Sequence, residues 1–246
     1  MKQKHQILII PIICLSFMFA HKAKYLKNDS VFRAVLPLAD KKNIPLDFIK
    51  QSFKSESVKI YEDIPDRFEF AYEKKEYPEY KKIFLTKKRI NDGVEFYHLN
   101  SQLIESISDS LKVDPFLILS IIGVESNFGR HKGKFTVFNA LYTQISKMPR
   151  RSKWAQKELV AYLSYCYTDN IPPHSIVGSY AGAFGYGQFI PTSFKNYAID
   201  ANKDNKINLK SIDDSFASAA NYLNKLGWKK NAPCYLEIEL FDNVPN

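Results

Sequence analysis

Glu125 closes an apolar run, Ile118-Leu119-Ser120-Ile121-Ile122-Gly123-Val124, and Ser126-Asn127-Phe128-Gly129-Arg130 follows at once. Desolvation at the end of an apolar helix disfavours an ionised carboxylate and raises its pKa. The protonated form is the one a general acid needs near neutral pH. The plainer alternative is a Glu on a solvated helix face, where most helical Glu residues sit. The segment Phe116–Val124 is apolar on nearly all sides, which predicts a buried helix. The polar, glycine-containing stretch beyond it predicts a helix end opening onto a cleft.

Two other groups of residues carry chemistry in their spacing. Arg150 and Arg151 follow Pro149; a guanidinium fork grips carboxylates bidentately, although a solvated basic pair is the plainer reading. Asp200, Asn202 and Asp204 occupy the first, third and fifth positions of a calcium-loop pattern, with the Lys206 carbonyl as a further ligand. The pattern departs from the ideal twice. Asn205 stands where Gly is usual, although Asn tolerates a left-handed backbone. Ser211 stands where an acid normally closes the cage, leaving Asp213 or Asp214 to substitute. A weak calcium site and a metal-free structural turn both remain open. The five His residues are dispersed and define no zinc site.

The stretch Ile121–Arg130 resembles the catalytic motif of the MltB-type lytic murein transglycosylases. So does Ser179-Tyr180-Ala181-Gly182-Ala183-Phe184-Gly185-Tyr186-Gly187-Gln188-Phe189-Ile190-Pro191-Thr192-Ser193. Pro149-Arg150-Arg151 lies between them at that family's spacing, and Asp200–Leu209 is similar to its calcium-loop segment. The likeness runs from about Tyr80 to Trp228. It implies a mainly α fold, a lysozyme-like helical core with small β elements. It implies cleavage of the MurNAc-GlcNAc bond of peptidoglycan without water, with Glu125 acting as acid and then as base. Glycosidases ordinarily use two carboxylates, and no second acid stands in a setting like that of Glu125. Asp169 and Asp200 fall in polar, loop-like stretches.

The same resemblance assigns substrate contacts. Ser179 falls where a hydroxyl positions the sugar N-acetyl group. Gln188 both donates and accepts, which suits a sugar amide. Tyr80, Trp154 and Tyr222 match cleft aromatics, and Tyr186 is a further aromatic of that kind; taken singly, each reads better as a core residue. Arg150 and Arg151 are implied to meet the acidic stem peptide. The partners are thus peptidoglycan strands and their stem peptides, and no cofactor is required. The alternative is a non-catalytic murein-binding envelope protein with a degenerate cleft.

The composition agrees with an exported protein. The chain has 246 residues, 45% hydrophobic and 14% aromatic, with a net charge of +9. No nucleic-acid motif is visible and the Lys residues are scattered, so the basic balance fits an anionic envelope. Lys2 and Lys4 precede an apolar stretch from Ile7 to Ala20, shorter than a span of about 20 apolar residues. Residues 1–20 therefore read as a signal peptide or an inner-membrane anchor, and the protein as periplasmic or envelope-bound. Cys166 and Cys234 either pair in an oxidising compartment or stay as buried thiols.

The elements that must position these groups follow from the pattern. Residues 21–79 read as a helical and extended wrap, with a short helix opening at Pro45 and an extended stretch from Tyr61 to Tyr80. Residues 80–246 read as the catalytic domain, short at its C-terminal end for the family. Ile90, Val94, Tyr97, Ile104, Ile107 and Leu111 mark one stripe of a long helix. Asp114-Pro115 opens the Glu125 helix. Further helices are expected over Ser152–Tyr167, over Pro191–Tyr197 and over Phe216–Leu226, the last capped by Asp213 or Asp214. Gly178–Gln188 is a loop or short hairpin, and Cys234–Leu240 a strand.

Overall fold

Local capping chemistry sets the frame on which the site is built. The computed structural model describes residues 26, 28–70 and 75–231. The export signal, the Cys234–Leu240 strand and Cys234 itself lie outside the described residues. Helix α1 (Ser30–Asp40) is capped by Asp29, whose carboxylate accepts the Val31 and Phe32 N–H groups. Its second oxygen accepts the Tyr142 hydroxyl at 3.1 Å, tying the cap to the core. Helix α2 (Leu46–Lys54) buries Ile49 and Phe53, the face the sequence predicts. The Phe53 ring meets Phe32 at 5.3 Å and Phe138 at 5.2 Å, both edge-on.

Residues 61–80 are not one extended stretch. They hold α3 (Ile64–Glu69) and the start of α4 (Tyr77–Phe84). Pro65 and Pro78, which read as interruptions, sit in the first turn of each helix, where a missing N–H costs nothing. Helix α5 (Lys87–Leu111) starts at Thr86, whose side chain accepts the Arg89 N–H. Helix α6 (Pro115–Ser126) starts at Asp114, which accepts from Phe116 and Leu117.

Strand β1 (Phe135–Thr136) pairs antiparallel with β2 (Val177–Gly178), Phe135 opposite Gly178. Between them run α7 (Val137–Lys147) and α8 (Pro149–Thr168). Helices α1 and α7 carry no expectation from the sequence. In α7 the apolar residues Val137, Phe138, Leu141, Tyr142 and Ile145 recur at helical spacing, and the polar Asn139, Thr143 and Gln144 between them are buried as well. Two further helices follow, α9 (Pro191–Tyr197) and α10 (Ile212–Lys225). Ser211 is the N-cap of α10; Asp213 and Asp214 lie inside its first turn instead, because Asp214 is drawn into the preceding loop.

Two large apolar clusters result, beside a small third around Ile64, Phe135 and Ala140. One joins α1, α2, α7 and α8 around Val35, Phe53, Phe138, Leu159 and Tyr162. The other joins α5, α6 and α10 around Ile104, Ile118, Ile122 and Phe216. Cys166 is buried in the first, where desolvation pushes its thiol up to about 12. Among the described residues no helix is long and apolar enough to cross a membrane.

Candidate active site

The C-terminal end of α6 is fixed by an unusual turn. Asn127, Phe128 and Gly129 all have positive φ (50°, 57° and 78°), a conformation that costs energy at the two non-glycine positions. Three contacts hold it. The buried Ser126 hydroxyl donates to Ile122 O and accepts the Gly129 N–H at 2.9 Å. The Phe128 ring fills the space left by Gly93 and Gly123, where a Cβ would come within 2.9 and 2.8 Å of its tip. Arg130 pairs with Asp92 of α5, and Lys88 and Arg130 together hold that carboxyl below its usual range. Gly129 itself lies against the Tyr186 ring, 2.2 Å from where a Cβ would stand.

Glu125 stands at the start of this turn and is exposed, contrary to the burial expected from its apolar neighbours. The helix is apolar all round for another reason. Its core face is Ile118, Leu119 and Ile122. A second face, with Ser120, Gly123 and Val124, lines an apolar groove against Phe84, Ile90, Val94 and Tyr97 of α4 and α5. A third, with Ile121 and Glu125, lines a groove of about 330 Å3 at the seam of the two clusters. Its other walls are Gly187–Ile190, Ser193 of α9, and Ala219, Tyr222 and Leu223 of α10. Among the described residues lining it, Glu125 is the sole carboxylate.

The glycine-rich segment forms a folded loop. Isolated bridges join Gly178 to Phe184 and Phe184 to Phe189. Gln188 takes a left-handed φ of 48° and its Nε2 donates to Gly185 O at 2.8 Å, which fixes the side chain in the groove wall. Tyr222 is held edge-on by Phe189 and Tyr197. Gln188 and Tyr222 thus share one groove with Glu125.

The other residues singled out from the sequence stand elsewhere. The Ser179 hydroxyl accepts the Ala183 N–H inside the loop. Tyr186 lines a small cavity with His131, Lys132 and Lys210. Tyr80 packs on Phe84 beside the apolar groove. Arg150 is exposed. The Arg151 guanidinium is stacked between Phe68 and Trp154, 4.3 Å from each ring, and its Nε donates to Gln144. Its burial lowers the guanidinium pKa from its ordinary value. Ser193, Ile121 and Leu223 line the Glu125 groove without having been singled out. Ser193 lies within the second motif, yet a lone serine after Pro-Thr carries no chemical mark in sequence.

The calcium-pattern loop is closed by its own amide groups. Asp200 accepts the Asp204 and Asn205 N–H groups, Asn202 accepts that of Asp204, and Asp204 accepts that of Lys206. Asn205 has a φ of 66°, the left-handed form a Gly usually supplies there. The buried Asp214 accepts from Ala201 at 2.8 Å and Asn208 at 2.7 Å, joining both ends of the loop to α10. Asp200, Asn202 and Asp204 carry oxygens of the kind calcium takes, but among the described residues no cluster of three or more acidic, His or Cys side chains is placed to hold a metal ion.

A mainly helical core with one carboxylate at a helix end beside a groove is a lysozyme-like architecture. The chain belongs to the family described as "Transglycosylase SLT domain", whose model matches residues 28–246. It is 38% identical over 151 residues to the membrane-bound lytic murein transglycosylase B of Escherichia coli K12, covering 61% of this chain and 42% of that protein. The chain thus spans under half the length of that relative. Solved structures share the fold, and two of them serve as examples. The Escherichia coli lytic transglycosylase Slt35 in complex with calcium is 29% identical, with a TM-score of 0.76, over 84% of this chain and 66% of that one. SltB3 of Pseudomonas aeruginosa in complex with NAG-NAM-pentapeptide is 26% identical, with a TM-score of 0.76, over 91% and 58%.

Proposed function

We propose that the protein is a lytic transglycosylase of the cell envelope that cleaves the MurNAc-GlcNAc bond with Glu125 as its one acid/base. The observation carrying this reading is that Glu125 is the sole carboxylate among the described residues of a groove that also presents Gln188, Ser193 and Tyr222. Glu125 protonates the leaving glycosidic oxygen. The substrate's N-acetyl group stabilises the sugar cation, with Gln188 in the groove wall positioning it. The ionised Glu125 then takes the proton of the muramic 6-hydroxyl, which closes on C1 to give a 1,6-anhydro end. Water is not a reactant.

The exposure of Glu125 fits this scheme if the glycan supplies the desolvation. A sugar laid over Ile121 and Tyr222 displaces water from the carboxyl and favours its neutral form. Exposure equally favours the second reading, a murein-binding protein without turnover, and one experiment separates them. Purified sacculi are digested and anhydromuropeptides measured by mass spectrometry. Wild type releases them, and Glu125→Gln releases about 10²–10⁴-fold less, the usual worth of an acid/base group, while still sedimenting with sacculi. Undiminished release by the variant removes Glu125 from the role. Sedimentation without any release by wild type supports the second reading.

Arg150 is the better placed of the two arginines for an acidic stem peptide, being exposed, and Tyr80, Trp154 and Tyr186 extend the contact surface. The relative named above is membrane-bound, which supports an envelope location reached through residues 1–20. The Asp200–Lys206 loop holds calcium weakly and structurally, with no step of the reaction passing through it. Slt35, solved with calcium, supports this. Millimolar calcium then raises the melting temperature relative to chelator by mass action, and an unchanged melting temperature argues against the site.

A further inference from the structure

The face of α9 turned away from the Glu125 groove borders a second cavity, of about 400 Å3. Four lysines line it: Lys41 and Lys42 after α1, Lys157 on α8 and Lys195 on α9. They come from three separate elements, so the cluster is a product of the fold and not of one charged run. None of the four is in an ion pair with a carboxylate among the described residues, and no acid lines the cavity. Ser164, Thr192 and Asn196 add polar groups at the wall, and Leu38, Val160 and Ala161 make an apolar floor. The nearest buried carboxylate, Glu158, is occupied by the Thr192 N–H and hydroxyl at 2.9 and 2.8 Å.

All four are exposed, so solvent screens their mutual repulsion, and together they offer an anion a shared positive site. Their chemistry narrows the anion. Carboxylate recognition favours the planar fork of Arg, whereas the compact ammonium of Lys serves phosphate as a point charge. All four cations here are Lys. We propose that this basin, basic at its rim and apolar at its floor, binds the phosphates of anionic lipid headgroups, anchoring the protein while the Glu125 groove stays open on the other side of α9. Thr192 lines the basin and the adjacent Ser193 lines the groove, so the two are separated by the width of one helix. The inference is independent of the reaction assigned to Glu125.

The test is a calorimetric titration of the full chain with inorganic tripolyphosphate at 0.15 M salt, where the screening length is about 8 Å and scattered surface charge contributes little. Saturable binding is expected. A variant with Lys41, Lys42, Lys157 and Lys195 all changed to Gln should bind at least tenfold more weakly with an unchanged melting temperature. A control with Lys134, Lys153, Lys225 and Lys229 changed to Gln, equal in charge lost, should bind within twofold of wild type. An equal drop in both variants, or no saturation with wild type, overturns the proposal. Phosphatidylglycerol vesicles distinguish the sources. Co-sedimentation that tripolyphosphate displaces supports the lipid headgroup; tripolyphosphate binding without co-sedimentation overturns it in favour of a soluble phosphate polymer.

Discussion

At the scale of single residues, Arg151 shows how a functional pattern and a structural one can coincide. Its guanidinium lies between the Phe68 and Trp154 rings, and its Nε satisfies the buried Gln144, whose Nε2 in turn donates to Tyr180 O at 3.1 Å. The stack therefore links α3, α7 and α8 to the start of the glycine-rich loop. Arg151→Lys keeps the charge but removes the flat cation and the Nε donor, leaving Gln144 short of a partner. A loss of about 1–3 kcal/mol in urea unfolding is expected. Unchanged stability would free Arg151 for a purely substrate-facing role. The sequence marked this residue as an arginine beside Pro149 but held nothing to announce Phe68, about eighty positions earlier, as its partner. Glu125 was easier to find, because a carboxylate in an apolar run stands out. Its exposure was not legible, since apolar residues facing a groove and apolar residues facing a core read alike in one dimension.

At the scale of elements, some caps and prolines were readable, while the helix-opening roles of Pro65, Pro78 and Ser211 and the burial of polar helix faces were not. Asp114-Pro115 and Pro191 open their helices as their chemistry dictates. Helix α7 carries a helical apolar stripe in its sequence, but the burial of its polar face was not legible, because its partners are distant: the Lys59 and Tyr61 N–H groups bond to Asn139 and Thr143. The loop before α10 makes the same point through Asp214. In sequence it is one of two equivalent acids; in the fold it alone is fully buried and receives two backbone N–H groups. Asp214→Ala leaves the Ala201 and Asn208 amides without that acceptor. The expected cost is about 1–3 kcal/mol, reduced where water can reach the loop. Hydrogen exchange of those two amides should quicken in the variant more than that of α8. Equal exchange in wild type and variant would mean that the side chains of Asp200, Asn202 and Asp204 hold the loop without help from α10.

At the scale of the molecule, the helices at the start of the described chain are part of the core that carries the glycine-rich loop, and one titratable contact joins the two. His174 precedes β2, its ring packs on Phe138 at 4.4 Å, and its Nε2 meets the Ser52 carbonyl of α2 at 2.9 Å. A carbonyl only accepts, so Nε2 carries the proton, and the buried Nδ1 has no hydrogen-bond partner among the described residues. Charging the ring adds a donor at Nδ1 with nothing to receive it, and burial accordingly lowers the imidazole pKa below its ordinary 6.5. A lowered folded-state pKa means that the unfolded chain binds the proton more readily. The contribution of His174 is therefore complete above pH 6.5 and is lost as pH falls through the lower folded value. His174→Gln keeps an N–H for Ser52 but cannot take up a proton in this range. Urea unfolding between pH 7.5 and 5 should show stability falling less steeply with acid in the variant than in wild type. Parallel curves would assign the acid sensitivity to other groups, and the junction between α2 and the loop ahead of β2 would then be indifferent to pH.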